Sequence, residues 1–263
     1  MNLELEGKVA LVCASSRGLG KAVACALARE GAKVAICART KSALDAAADD
    51  IHSASGAEVL AVPADLTQTA QASALLDAVV GRWNTIHILV NNAGGPPSGP
   101  FETHDLARWR QAVELNLMSA VNLSALALPY MKKQRWGRII NITSIAARQP
   151  VDGLILSNAV RAGVLGLGKS LSNELAPHNI LVNNVCPGYT RTDRVVDLAR
   201  AEARRQQKSM EDIYGVWEKL IPLGRLAEPE EFAALVVFLA SERASYITGA
   251  TIPVDGGYIK SLC

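Results

Sequence analysis

The chain has 263 residues, of which 49% are hydrophobic and 20% charged, a composition that fills a large core and excludes a disordered chain. Its length allows one large domain or two small ones. Lys and Arg number 27 against 25 Asp and Glu, a net charge of +2 without a long like-charge run, so neither nucleic acid nor an anionic membrane surface is indicated as a partner.

Short apolar or β-branched runs alternate with longer segments of helical period. In chain order the pattern predicts a strand at Val9 to Cys13, a helix at Leu19 to Glu30, a strand at Lys33 to Cys37 and a helix at Lys41 to His52. It continues with a strand at Val59 to Ala64, a helix at Thr69 to Arg82, a strand at Ile86 to Asn91 and one long helix at Leu106 to Lys133. The last third gives a strand at Gly137 to Ile142, a helix at Asn158 to Leu175, a strand at Ile180 to Cys186, a helix at Pro229 to Ala240 and a strand at Thr251 to Val254. Such alternation defines an α/β fold, a doubly wound parallel sheet with helices on both faces. No composition shift or repeat divides it, so residues 1–263 are expected to form a single domain. One segment breaks the rhythm. Between Gly188 and Pro222 lies a charged stretch, including Arg200 to Lys208, which reads as poor in core positions and joins no strand to its neighbour. A mobile helical lid is expected over about 189–222, after the carboxyl end of a strand, where ligands bind in open α/β sheets.

The longest apolar runs, such as Phe232 to Ala240, fall short of the ~20 residues that span a bilayer, and no membrane crossing is expected. Met1-Asn2-Leu3-Glu4-Leu5-Glu6 is acidic where a signal peptide would be basic, which gives a cytoplasmic expectation. Cys13, Cys25, Cys37, Cys186 and Cys263 are widely spread without a C-x-x-C pair. They read as small core hydrophobes, with Cys263 exposed, and neither a disulfide frame nor a metal site is expected. His52, His87, His104 and His178 read as structural or surface residues.

Directly after the first strand, Cys13-Ala14-Ser15-Ser16-Arg17-Gly18-Leu19-Gly20 opens into a helix. Glycines there let the backbone approach a pyrophosphate, and the helix start offers unpaired N–H groups and a positive dipole end. Here the chain resembles the short-chain dehydrogenase/reductase family over nearly its whole length. The family's pattern is Thr-Gly-x-x-x-Gly-x-Gly. Cys13-Ala14 replaces Thr-Gly, so Ala14 must sit where a small Cβ is tolerated. The resemblance implies a Rossmann fold with a dinucleotide held around Ala14, Ser16, Arg17, Gly18, Leu19 and Gly20. It also implies an adenine contact at Asp65-Leu66, a turn at Asn91-Asn92-Ala93-Gly94 beside the cofactor, and an ordered water supported by Asn116. Pro187-Gly188-Tyr189-Thr190-Arg191-Thr192 is similar to the family's Pro-Gly turn, so Pro187, Gly188 and Thr190 are expected at the nicotinamide and Thr192 on its carboxamide. Asp255-Gly256-Gly257 resembles the carboxyl-terminal loop.

Charge selects the dinucleotide. A ribose 2′-hydroxyl is commonly held by an acid at the end of the second strand, whereas a 2′-phosphate needs cations. Ala38 occupies the acid's place, Arg39 follows it, and Arg17 lies in the glycine-rich turn. NADP is the expected cofactor.

The resemblance also assigns catalysis to a Ser, a Tyr thirteen residues later and a Lys four further on. Ser144 is in place, but the next two positions are Ser157 and Arg161. An aliphatic hydroxyl is a far weaker acid than a phenol of pKa ~10, so Ser157 can hydrogen-bond a carbonyl but donates a proton poorly. Arg161 keeps the cation and can hold ribose hydroxyls, but does not release a proton in proteins. Tyr189 is the alternative proton donor. The expected catalytic set is therefore Asn116, Ser144, Ser157, Arg161 and Tyr189, with Arg161 also a cofactor ligand.

Three functions follow. The leading one is an NADP-dependent oxidoreductase on a carbonyl or alcohol, similar to 3-oxoacyl-carrier-protein reductases, with a non-standard site. The others are a regulatory protein that keeps the NADP site without chemistry, and a non-redox isomerase or lyase. Residues 95–100 and the lid would line the substrate pocket with mixed apolar and basic character, open to acidic ligands near Arg191 and Arg194. A homotetramer is implied by the resemblance, because the long helices 106–133 and 158–175 carry more apolar positions than one sheet face covers.

Overall fold

Successive residues of a strand point to opposite faces, so a strand covered by helices on both sides is apolar throughout. Val9–Val12 (β1), Ile88–Asn91 (β4) and Gly137–Ile142 (β5) are of this kind, buried at every position. In the computed structural model, which describes residues 2–262, they join Lys33–Ala38 (β2), Val59–Pro63 (β3), Ile180–Pro187 (β6) and Thr251–Val254 (β7) in one seven-stranded sheet. The order is β3-β2-β1-β4-β5-β6-β7, parallel throughout. The chain reverses its winding between β1 and β4, which opens a crevice at their carboxyl ends.

Two cores follow from the alternation. Ala10, Val12, Val34, Ile36, Ile88 and Val90 pack against Gly18–Arg29 (α1), Lys41–Ser55 (α2) and a carboxyl-terminal helix at Pro229–Ala240. Val9, Leu11, Ala35, Leu89 and Ile139 face Thr69–Trp83 (α3) and the helical layer that includes Leu123, Ala127 and Met131. The predicted strands and helices all form, with ends displaced by one to a few residues.

The long helix differs from expectation in its interior. Leu106–Val113 (α4) runs into a π-helical turn at Glu114–Met118 and then Ser119–Gln134 (α5). Together these 29 residues are long and apolar enough to cross a membrane by length and composition, contrary to the estimate from run lengths. In the fold they form a layer helix, with Leu123, Ala127 and Met131 buried against the sheet. Ile155–Leu175 (α6) packs beside β6.

The lid also differs. It contains Asp193–Gln206 (α7) and Met210–Leu220 (α8), and it is not poor in core residues. Val195, Ala199 and Ala203 repeat every four residues along α7 and meet Ile213, Trp217 and Ile221 in a separate small core. Pro229–Ala240 is then α9. Cys13, Cys37 and Cys186 are buried and Cys25 is half-buried; Cys263 lies outside the described residues. Among the described residues no group of His, Cys, Asp and Glu is arranged to hold a metal.

At the amino-terminal edge of the sheet, His87 Nδ1 accepts the Val9 N–H at 3.0 Å and its ring meets Trp136 edge-on. Burial, with Lys8 nearby, pushes the His87 pKa down to about 4. Fully buried Arg138 pairs with Glu242 at 3.2 Å and lies over the Trp136 ring. The His87 and Arg138 groups serve the fold, on the edge opposite the crevice.

Candidate cofactor and active site

The turn after β1 is shaped by two residues with positive φ, Ala14 at 46° and Gly18 at 57°. Ala14 thus occupies the left-handed region that favours glycine, at a cost of about 1–2 kcal/mol. Buried Ser15 fastens the turn: its Oγ donates to the Val12 carbonyl at 2.7 Å and accepts from the Cys37 N–H at 3.2 Å. Arg17 is the N-cap of α1 in extended conformation, and no side chain caps the helix. The first-turn N–H groups are therefore available to an anion at the crevice. Gly20 has no room for a side chain, since a Cβ there would lie 2.5 Å from the Ala14 carbonyl and 2.9 Å from Asn92 Nδ2. Asn92, expected only as a member of the turn beside the cofactor and without a role of its own, donates to the Cys13 and Ala14 carbonyls at 3.1 and 3.3 Å. It ties the turn after β4 to the glycine-rich turn, and its signal was the second Asn of the Asn-Asn doublet.

Ser16 and Leu19 are half-buried on this turn. Arg39 is exposed at the end of β2 and makes no ion pair or hydrogen bond within the described residues. Arg17 is exposed and ion-paired at 3.1 Å with Asp193, the first residue of α7. A pair this exposed contributes little and exchanges readily for another anion. Asp65 uses Oδ1 to accept from the Thr67 N–H and hydroxyl, and Leu66 is buried beside it. Thr192 packs toward Gly18, its methyl 3.5 Å from where a Cβ would stand. Gly188 passes so close to the last loop that a Cβ would lie 2.7 Å from Asp255 Cα, with Pro187 half-buried beside it. Thr190 is buried, donates to the Gly188 carbonyl at 3.4 Å and bridges to Ala227.

Strand register places a ladder of amides behind the crevice. Asn91 stands beside Asn141, Asn141 beside Asn184 and Asn184 beside Thr251. Asn91 Nδ2 donates to Asn141 Oδ1 at 2.9 Å, Asn141 Nδ2 to Asn184 Oδ1 at 2.9 Å, and Asn184 Nδ2 to Thr251 Oγ1 at 3.1 Å. Sequence reasoning missed Asn141 and Asn184. In the π-helical turn, Asn116 Nδ2 donates to the Gly94 carbonyl at 3.0 Å, while Oδ1 of both Asn116 and Asn91 is buried without a protein partner. Both residues line a cavity of about 10 Å³ shared with Ser119, Thr143 and Arg161, a size that holds one water. The position of Asn116 suits the expected role.

Ser144 caps a short 3₁₀ turn, its Oγ accepting the Ala146 N–H at 3.1 Å, which leaves its own hydroxyl hydrogen free to donate. Ser157 is buried in the first turn of α6, and its hydroxyl bonds no group among the described residues. Four residues on, Arg161 is buried on the same face. Its Nη1 donates to the Ile142 and Thr143 carbonyls at 3.2 and 2.7 Å, and its Nη2 to the Ala93 carbonyl at 3.1 Å. These acceptors are the carboxyl end of β5 and the turn after β4, so one guanidinium ties the two strand ends together; next to Ala93, Gly94 has open space where a Cβ would stand. Burial, then repulsion from Arg194, lowers its pKa to about 10, and it stays charged at neutral pH.

Tyr189 does not fit the expected role of proton donor. Its ring stacks on Trp217 at 4.4 Å and meets Tyr258 edge-on, inside the lid core. Burial pushes its pKa upward, which makes it a weaker acid, not a stronger one.

A doubly wound sheet with an uncapped helix start at its switch point and serine hydroxyls beside a buried cation defines a dinucleotide-binding protein of the oxidoreductase type. The chain belongs to the short-chain dehydrogenase/reductase family: residues 13–259 match the family model described as enoyl-(acyl carrier protein) reductase. It is 37% identical over 257 residues to a 3-oxoacyl-[acyl-carrier-protein] reductase of Aquifex aeolicus, covering 98% of this chain and 99% of that one. The corresponding reductase of Pseudomonas aeruginosa is 37% identical over 98% of this chain and 100% of its own length. Among solved structures, L-sorbose reductase from Gluconobacter frateurii, complexed with NADPH and L-sorbose, superposes with a TM-score of 0.94 at 33% identity, covering 100% of both chains.

Proposed function

We propose that this protein is an NADP(H)-dependent oxidoreductase acting on a small carbonyl or alcohol compound, similar to 3-oxoacyl-carrier-protein reductases, in an atypical subgroup with Ser157 and Arg161 in place of the family's Tyr and Lys. The observation that carries this reading is the uncapped start of α1 at the switch point of the sheet, together with Ser144, whose hydroxyl hydrogen is uncommitted, after β5 and Ser157, whose hydroxyl has no partner among the described residues, one turn before Arg161. The residues present fit NADP: the α1 start is uncapped, Gly94 leaves the backbone open, and Arg39 is unpartnered where a 2′-phosphate would lie. Arg39 would hold that phosphate, with Arg17 joining it on leaving Asp193; Arg161 would offer its two unspent N–H groups to ribose hydroxyls. NADPH, when bound, supplies a hydride. Ser144 and Ser157 hydrogen-bond the substrate oxygen and stabilise the charge that develops on it. Neither is an efficient proton donor, so turnover is slow relative to members with a phenol.

NADPH oxidation followed at 340 nm across a panel of ketones, with NADP+ reduction across the matching alcohols, tests the reading. Turnover of at least one panel member supports it. NADPH binding by calorimetry without turnover would favour an NADP-binding regulatory role, which the absent phenol and the packed Tyr189 also suit.

A further inference from the structure

The turn Ala93-Gly94-Gly95-Pro96 is gripped by arginines at both ends. Arg161 donates to the Ala93 carbonyl at 3.1 Å, and Arg194, on α7, donates to the Pro96 carbonyl at 2.7 Å. The Arg194 guanidinium lies directly on Gly95, where a Cβ would stand 2.7 Å from its Nε; glycine is required there for the guanidinium to fit. Ala93 and Pro96 are three positions apart in the chain, so the two acceptors lie within about 11 Å of each other. Repulsion from Arg194 is second only to burial in lowering the Arg161 pKa, while Arg194 is itself lowered by burial and partly restored by the charge of Asp197.

Neither cation makes an ion pair among the described residues. Asp193 is paired with Arg17, and Glu218 and Glu228 with Arg191; Asp197 pairs with Arg200 and reaches Arg194 through its field alone, without an ion pair. A guanidinium carries five N–H donors. Arg194 spends one of them on protein and Arg161 three. Holding two half- or fully buried cations together without an anion is costly unless a ligand supplies the charge.

We propose that Arg194 is the anchor of a substrate-anion subsite, so that the natural substrate is a carbonyl or alcohol compound bearing a carboxylate that pairs with the Arg194 guanidinium across Gly95. The planar fork of an arginine suits a carboxylate bidentately. The reductase reading above is needed only to call the anion a substrate; the alternative source of the same chemistry is a phosphate of the dinucleotide. Arg191, the other arginine expected to meet acidic ligands, is occupied by Glu218 and Glu228 and takes no part.

The test is calorimetry with acetoacetate and 4-oxopentanoate, each against its methyl ester, on the protein alone and saturated with NADP+. At least one acid is expected to bind tenfold or more tightly than its ester. Arg194→Met is expected to erase that preference, and Arg194→Lys to keep part of it. Gly95→Ala, which displaces the guanidinium without removing its charge, should weaken the acid at least threefold. NADP+ affinity in Arg194→Met should stay within threefold of native. Equal binding of acid and ester by the native protein in both states overturns the proposal. So does an Arg194→Met variant that loses NADP+ affinity as steeply as acid affinity, which would assign the arginine to the cofactor. Failure to bind NADP+ at all removes the reductase reading, while the acid preference of the unloaded protein still decides the subsite.

Discussion

Arg161 is predicted to hold the carboxyl ends of β4 and β5 in place even without a ligand, and Arg161→Met measures how strongly. Three of its N–H groups bond backbone carbonyls of Ala93, Ile142 and Thr143. Hydrogen bonds to charged groups contribute about 1.5–3 kcal/mol each. Against this stands the cost of burying the charge, which the lowering of its pKa to about 10 places near 3 kcal/mol. Methionine removes that cost along with the bonds and leaves three acceptors unpaired, so a net loss of about 3 kcal/mol is expected. For a chain of this size that is a fall in Tm of roughly 6–12 °C. Arg161→Lys, with one nitrogen to serve three carbonyls, should lie between the two. Thermal unfolding by circular dichroism, supported by urea midpoints, is the assay. A Met variant as stable as the native protein would refute the reasoning and make Arg161 a group held for its ligand alone.

Other consequences are equally direct. Ser157→Tyr combined with Arg161→Lys is expected to speed NADPH-dependent reduction of β-keto esters by at least ~10²-fold, each single change doing little, because a positioned general acid contributes 10² to 10⁴ and its members act as a unit; a native rate equal to the double variant's would show that Ser157 is no handicap. NADPH should bind at least ~10-fold more tightly than NADH, about 1.4 kcal/mol, and Arg39→Ala should reduce the difference, as read by calorimetry; an unchanged ratio would exclude Arg39 from the phosphate. His87, with a folded pKa of about 4, stays neutral where the unfolded chain takes up a proton below ~6.5, so its contribution is complete above pH 6.5 and declines, by up to about 3 kcal/mol, as the pH falls from 6.5 to 4. Urea midpoints at pH 7.5 and 4.5 would show the decline, and His87→Asn, which keeps an acceptor for Val9, should flatten it; equal native midpoints would contradict it. Light scattering is expected to give a homotetramer, since Phe101 in the 3₁₀ turn before α4, Leu106 at the start of α4 and Met118 in the π-helical turn expose apolar side chains; a monomer at micromolar concentration would exclude it.

The parts of the site readable from sequence are those whose requirement is local. The glycine-rich turn needs positive φ at Ala14 and Gly18 and a helix start without a cap, and both conditions are met by consecutive residues. The direction of Asn116 was not legible, because the π-helical turn at Glu114–Met118 shifts it by a fraction of a turn that the periodicity of apolar residues does not register. Charge hid the lid core: Arg200 to Lys208 drew attention from Val195, Ala199 and Ala203, which lie one helical turn apart and find Ile213 and Trp217 only after the chain doubles back. The asparagine ladder depends on register across four strands, and no spacing within one segment encodes it. Tyr189 shows the same limit from the other side, since its neighbours in sequence form the Pro-Gly turn but its ring is claimed by Trp217, twenty-eight residues on. Backbone at the carboxyl edge of the sheet therefore fixes where a dinucleotide and substrate meet, while side chains arriving from distant elements fix the chemistry done there. In the function proposed above, with a serine at residue 157 and Tyr189 stacked on Trp217, proton supply would fall to the Ser144 and Ser157 hydroxyls and to a water in the cavity lined by Asn116 and Arg161. A solvent isotope effect on kcat that the Ser157→Ala change alters, and Tyr189→Phe does not, is the result this arrangement requires.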